Sequence, residues 1–492
     1  MGTAMAADEL VAELRAFVGS EGPVQTARHP VNGPAIADWC DAIGDGNPVY
    51  TDEEAAAKSR HGGIVAPPAT LDIWDRPGLP AQPRWRPAGL APAEDPRSHV
   101  MRKLEDAGFI GVVAVNSELE IARYLRPGDL LQNKQVLEDV SEEKHTALGV
   151  GHFVTTRQRY ETVDREHVGD LLFRILKFKP NTGKAAAPAE GDRPAPDPSP
   201  SLRPRPGINR DNQALFDGYR LHELRVPQCQ GCRRVFFPPA PRCAACGSFE
   251  MGYAVASGRG TLHSFTVVHH PQVPGFRYPL VVGLVELEPP DTGGPGGSAV
   301  RIVADLVGVR PDQVEVGMPL EVDWLDSHPA QVDGATDSRG PITVPQFRPA
   351  TPRRREDTVV ASALRDGERL PLWTLPLSPT HIVAGALATR DFQDVHHDRD
   401  LAHQKGSQDI FLNINTSLGY MERYVTDFLG PEAVVSALRV RLGAPAYPYL
   451  PLTFTGSVQS VDRETGRVVV GVQASNDLGP HITGTVELEL QP

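Results

Sequence analysis

Ala388-Thr389-Arg390-Asp391-Phe392-Gln393-Asp394-Val395-His396-His397-Asp398 near one end of the chain and Ala42-Ile43-Gly44-Asp45-Gly46-Asn47-Pro48-Val49-Tyr50-Thr51-Asp52 near the other are two versions of one motif. In both, an aspartate follows an amphipathic helical stretch, a polar loop comes next, and an acidic residue closes the segment. The fifth residue after the aspartate differs: it is His396 in one copy and Tyr50 in the other. A carboxylate and an imidazole brought together by a loop can share one water and move its protons, because their ordinary pKa values bracket the acid side of neutrality. A phenol, with a pKa of about 10, is a poor substitute. The pattern implies a duplicated fold with a working site at Asp391 and His396 and a degenerate one at Asp45 and Tyr50.

The flanks of the intact copy set its fold. Ser378-Pro379-Thr380 supplies a helix start before residues 382–389, since proline suits the first helical turn. After the motif, Ile414, Leu418, Met421, Val425 and Phe428 recur at helical spacing until Gly430-Pro431, giving a helix of about four turns. Strand candidates follow at 434–442, 452–461, 467–474 and 482–490. A helix followed by an antiparallel meander is the pattern of a curved sheet wrapped around a buried helix. The first third has the same ingredients, with Ser117, Leu119 and Ile121 matching Ser436, Leu438 and Val440. Yet Asp45 precedes Ser117 by 72 residues and Asp391 precedes Ser436 by 45, a surplus of 27 in the first copy. Much of that surplus is the proline-rich stretch 76–97, which cannot be one helix, leaving a short helix over about residues 98–107. A shorter helix at the centre of the first fold would either leave space for a bulky ligand or be compensated by the loop refilling that space.

The 492-residue length fits roughly three domains rather than one core. No apolar run is long enough to span a bilayer, and residues 1–19 lack the charged start, hydrophobic middle and small-residue cleavage site of a signal peptide. A cytoplasmic protein is expected. The formal charge of -13 argues against broad nucleic-acid binding, which needs a concentrated basic face.

Four of the five cysteines lie close together. Cys229 and Cys232 form one pair, Cys243 and Cys246 another, and two such knuckles can place four thiolates around a structural Zn2+ with Zn–S distances of about 2.3 Å. A closed set of four leaves no position for a catalytic water. Cys40 stands alone before Asp45 and reads as a small buried hydrophobe. Residues 181–207, rich in Pro, Ala and charge, read as a linker, and so do residues 329–355. Between them, after a short helix over residues 211–224, apolar and β-branched runs at 260–269, 278–287 and 300–306 indicate a small β-barrel of the OB type. The resulting expectation is an α+β chain: a degenerate first domain at 1–180, a zinc ribbon with OB-fold at 208–328, and a catalytic domain at 356–492.

Asp391 followed by His396 resembles the active-site motif of the MaoC-like, hot-dog-fold (R)-specific enoyl-CoA hydratases, and Asp45-Gly46-Asn47-Pro48-Val49 resembles the same motif with Tyr50 in place of its histidine. The central third, with its four cysteines, Phe236-Phe237-Pro238-Pro239 and Ser257-Gly258-Arg259-Gly260-Thr261, is similar to the zinc-ribbon OB domains that accompany acyl-CoA thiolases and aldolases. Together the likeness is to a fusion of the two subunits of the actinobacterial steroid side-chain hydratase. It implies that Asp391 and His396 hold the water added to a trans-2-enoyl-CoA substrate. It implies a backbone amide that polarises the thioester, for which Asn413 is the candidate, and His397 as an orienting neighbour. It further implies a thiolase-like aldolase docked on the OB domain, and a homo-oligomer. A non-catalytic acyl-CoA-binding scaffold would keep the folds without the convergence of Asp391 and His396. A nucleic-acid binder would need a basic, aromatic groove on the middle domain, whose only adjacent aromatics are Phe236 and Phe237, set beside proline where packing accounts for them.

Overall fold

The computed structural model describes residues 7–79, 95–180, 182, 199–290, 299–327, 331–332, 335–336 and 341–492. The chain divides into two compact units: one joins both ends of the sequence (1–189, 352–370 and 375–492) and the other holds its middle (190–351 with 371–374).

In the first unit the two halves of the sequence each build a hot-dog fold. In the second half, Ser378 caps the helix Pro379–Ala388 by accepting from His381 N, with proline in the first turn. The long helix Ile414–Leu429 begins at Asn413, whose side chain accepts from Thr416 N, and ends at Gly430. Almost every residue of this helix is buried, Tyr420 and Met421 completely. Tyr424 packs its ring 5.7 Å from that of Phe454 on the surrounding sheet. The four strands run Val434–Leu442, Leu452–Val461, Arg467–Asn476 and Gly479–Glu489, with the first pairing to the last. The matching strands of the first half are Gly111–Ile121, Leu131–Val140, Val150–Thr162 and His167–Phe178.

The sheets merge into one. Gly111–Ile121 pairs antiparallel with Val434–Leu442, placing Leu119 opposite Leu438, so the residues matched in sequence meet near the local two-fold. The halves also pack through their helices. Trp39, on the helix Gly33–Ile43, lies so close to Gly419 that a Cβ there would stand 2.5 Å from its ring. Where the second half has its sixteen-residue helix, the first has a 3-10 turn at Pro68–Thr70 and the shorter helix Pro96–Asp106. That helix buries Val100 and Leu104 against Leu14, Leu137, Val154 and Ile175. Most of the proline-rich stretch 76–97 lies outside the described residues.

In the second unit, strands Arg225–Cys229 and Met251–Val255 pair to form the ribbon. Five strands then close a barrel: Arg259–Val268, Leu280–Leu287, Arg301–Leu306, Pro319–Ser327 and Ile342–Pro349. The third and fifth run parallel and the other neighbours antiparallel, which is the OB arrangement. Leu262, Val285, Leu320 and Phe347 fill its core. The fifth strand corrects the reading of residues 329–355 as a linker. Its Pro345 and Pro349 suggested a loop, but Phe347 carries no exposed surface and completes the barrel core. The other linker, 181–207, lies largely outside the described residues; over its last part, Arg203 pairs with Asp305 at 2.6 Å. Among the described residues no helix is long and apolar enough to cross a membrane.

Candidate active site and metal centre

The Asp391 motif is shaped by one turn. The residue before each aspartate must adopt a left-handed backbone to turn the carboxylate out of the helix end. Gly44 does so at φ 64° and Arg390 at φ 53°. For arginine that conformation costs on the order of 1 kcal/mol, a strain absent from the glycine copy. Asp391 N then closes on Ala386 O, and Asp391 Oδ1 accepts from Gln393 N at 3.4 Å.

His396 follows in a 3-10 turn, Asp394–His396, and is only 7% exposed. Its Nδ1 lies 2.7 Å from Phe411 O. A carbonyl oxygen only accepts, so Nδ1 carries the proton and Nε2 of the neutral ring offers its lone pair. That Nε2 stands 3.6 Å from Asp391 Oδ2. Burial lowers the pKa of His396, against the opposing pull of Asp391, which keeps the imidazole in its proton-accepting form near neutrality. Two lone-pair-bearing atoms thus face each other, and one donor placed about 2.8 Å from each could bond to both.

The other expected residues fall around this pair. Asn413 is buried at the start of the long helix and donates from Nδ2 to Thr389 Oγ1 at 2.7 Å. Its backbone stands at the positive end of the helix dipole. His397 Nε2 lies 3.2 Å from Phe392 O, so it braces the loop. The degenerate pair is occupied by protein. Asp45 accepts from Asn47 N and pairs with Arg354, while Tyr50 OH donates to Glu422 Oε1 at 3.0 Å. Ala69 N donates to Glu422 Oε2 at 2.8 Å. Glu422 is 1% exposed, and burial pushes its carboxyl up to about 8, opposed first by the Ala69 hydrogen bond. Burial likewise raises the thiol of Cys40.

Sequence reasoning missed Arg76, which reaches Asp391 from the first half. Its Nη1 lies 3.8 Å from Asp391 Oδ2, and its Nη2 donates to Asp72 Oδ2 at 2.8 Å and Asn415 Oδ1 at 2.6 Å. Asn415 Nδ2 donates in turn to Asp72 Oδ1 at 2.6 Å. The available signal was positional: Arg76 and Glu422 occupy the same place in the two copies.

The four ribbon cysteines converge with all their sulfurs within 4.8 Å of one another. Cys229 and Cys246 are 3.5 Å apart and Cys232 and Cys243 3.7 Å. A tetrahedral site with Zn–S distances of about 2.3 Å has S–S edges near 3.8 Å, so the set fits one zinc ion. Backbone N–H groups of Cys246 and Ala245 hold the Cys243 thiol down to about 6, favouring the thiolate a metal needs. The ion would pin the two knuckles and take no part in chemistry.

Paired hot-dog halves carrying one aspartate–histidine site, together with a zinc ribbon and a five-stranded barrel, define a MaoC-like hydratase. Family models match accordingly: a FAS1-like dehydratase region over residues 16–171, the ChsH2 rubredoxin-like zinc ribbon over 216–252 and the ChsH2 C-terminal OB-fold over 253–325. A probable enoyl-CoA hydratase alpha subunit from Thermomonospora curvata is 36% identical over 350 residues, 71% of this chain and 99% of that protein. The 3-oxo-4,17-pregnadiene-20-carboxyl-CoA hydratase of Mycobacterium tuberculosis matches through both of its chains. Its alpha subunit is 39% identical over 65% of this chain and 93% of its own length, and its beta subunit 51% identical over 25% and 95%. A solved structure described as an Ltp2-ChsH2(DUF35) aldolase is 40% identical, with 30% of this chain and 98% of that one covered and a TM-score of 0.24. The chain belongs to this enoyl-CoA hydratase family, with alpha-like and beta-like parts in a single polypeptide.

Proposed function

We propose that the chain adds water across a trans-2-enoyl-CoA carrying a bulky acyl group of the steroid side-chain type, at Asp391 and His396. The observation that carries this reading is the 3.6 Å gap between His396 Nε2 and Asp391 Oδ2. A water held there gives its oxygen to Cβ while the pair takes one of its protons and returns a proton to Cα. Negative charge grows on the thioester oxygen in this step, and the backbone amide of Asn413, at the start of the long helix, is our candidate for the donor that meets it. The bulky acyl group is supported by the first half, where the helix Pro96–Asp106 stands in for a sixteen-residue one, and by the pregnadiene-carboxyl-CoA named for the Mycobacterium tuberculosis relatives.

The hydroxyacyl-CoA product is what a retro-aldolase consumes. A thiolase-like aldolase docked on the zinc-ribbon and barrel unit would meet it at high effective concentration. Thiolates kept free for a metal suit a reducing cytoplasm. Steady-state hydration of a steroid-derived enoyl-CoA is expected to exceed that of short straight-chain ones in kcat/KM; equal or reversed preference removes the bulky-substrate reading. Replacing residues 190–351 by a flexible linker should abolish co-elution with the aldolase in size-exclusion chromatography, and retained binding overturns the docking assignment. Metal analysis should find one zinc per chain, lost in Cys243→Ser.

A further inference from the structure

Among the side chains that cross between the two halves, Arg76 and Glu422 hold the same place in each. Arg76 follows Asp45 by 31 residues and Glu422 follows Asp391 by 31; Ala69 and Asn415 follow the same aspartates by 24 each. The backbone keeps this register, since Val65 N donates to Val49 O as Phe411 N donates to Val395 O. Each exchanged side chain crosses to the motif of the other half. Glu422 meets Tyr50, held by the amide of Ala69; Arg76 meets Asp391, held by the side chain of Asn415.

We propose that Arg76, supplied by the first half, is a positioning residue of the hydratase site: its guanidinium fixes the orientation of the Asp391 carboxylate opposite His396. The inference rests on the hydratase reading above. Arg76 is itself well fixed, because Asp72 takes its Nη2 at 2.8 Å and its Nε through the backbone carbonyl at 3.2 Å, and Asn415 links both. The remaining Nη1 faces Asp391 Oδ2. Around the guanidinium stand Asp72 and Asp391, with Tyr160 of the first-half sheet; Asp75 neighbours it in the chain. Around the His396 ring stand Asp391, His397 and Arg76. Burial opposes a charge on Arg76, but the two aspartates more than offset it and the group stays protonated. With that cation gone, the Asp391 carboxylate would draw a proton onto the imidazole at higher pH than before, removing the proton-accepting form first on the acid side.

Arg76→Met should lower kcat about tenfold or more with KM changed less than about threefold, and move the acid limb of kcat/KM upward by about half to one pH unit. Arg76→Lys should recover part of both effects. An NMR titration of the His396 ring, assigned with His396→Gln, should show its pKa rising in Arg76→Met whether or not a given acyl-CoA is hydrated. An unchanged titration overturns the role of Arg76, as does a loss of kcat without any shift of the acid limb. Absence of hydration by the unaltered chain would instead sink the hydratase reading. Where Arg76→Met does not fold, Arg76→Gln takes its place with the same expectations.

Discussion

The Asp391 and Asp45 sites are built on the same turn, yet one presents two lone-pair-bearing atoms to each other and the other is closed by protein groups. At Asp391 the fifth residue is a neutral imidazole whose lone pair points at the carboxylate across 3.6 Å. At Asp45 the carboxylate is tied to Arg354 and Asn47, and the phenol of Tyr50 is bonded to Glu422. The first copy thus differs in more than its tyrosine: a carboxylate from the helix Ile414–Leu429 stands against Tyr50, and Asp45 is held in an ion pair with Arg354.

The largest effect that can break this comparison lies at the open site. His396→Ala or Asp391→Asn should lower hydration by at least about 100-fold with the fold intact, because a positioned acid or base typically supplies a factor of 10² to 10⁴. Tyr50→Phe should stay within about threefold of the unaltered chain. Equal losses from both copies in a steady-state assay would mean that the two sites work together.

A smaller effect concerns stability at the closed site. The Glu422 carboxyl has its pKa raised from an ordinary value near 4.5 to about 8 in the folded chain, so the folded state binds the proton more tightly. The stabilisation from that proton is full below the unfolded-state pKa and is lost as pH rises through about 8. Glu422→Gln keeps an acceptor for Ala69 N and removes the titration. Its melting temperature should exceed that of the unaltered chain more at pH 8.5 than at pH 5.5, by a few degrees at most. A gap that widens toward acid pH would show that Glu422 is held as a carboxylate.

The smallest expected change is the most pointed. Tyr50→His restores the motif on paper, but Asp45 remains bound to Arg354 and Glu422 still occupies the space in front. No second active site should appear: in Tyr50→His combined with His396→Ala, hydration should remain at the level of His396→Ala alone. Activity restored by that pair of changes would place the whole difference in one residue.

Local features were legible in the sequence to different depths. The helix starts at Ser378 and the stop at Gly430 follow from caps and proline placement, and the strands of the second half follow from β-branched runs, because these signals act over a few residues. The convergence of the four cysteines follows from their spacing for the same reason. Asp391 and His396 were legible because they sit on one loop. Arg76 was not, since it stands in a proline-rich stretch and meets Asp391 across 315 positions of sequence. Nor was Arg354, whose contact with Asp45 spans a similar distance. The barrel strand Ile342–Pro349 hid behind two prolines, which remove backbone donors and imitate a loop.

The exchange of Arg76 and Glu422 also bears on stoichiometry. The Mycobacterium tuberculosis relatives are named as alpha and beta subunits, two separate chains. Here the partner that supplies Arg76 to a given Asp391 is encoded in the same molecule, so no copy of the working half is ever made without its complement. A second half pairing with another second half would bring Glu422, rather than Arg76, toward Asp391, setting a carboxylate against a carboxylate. The covalent link supplies one first half for every second half, so the matched pairing is within reach of each chain without a separate partner.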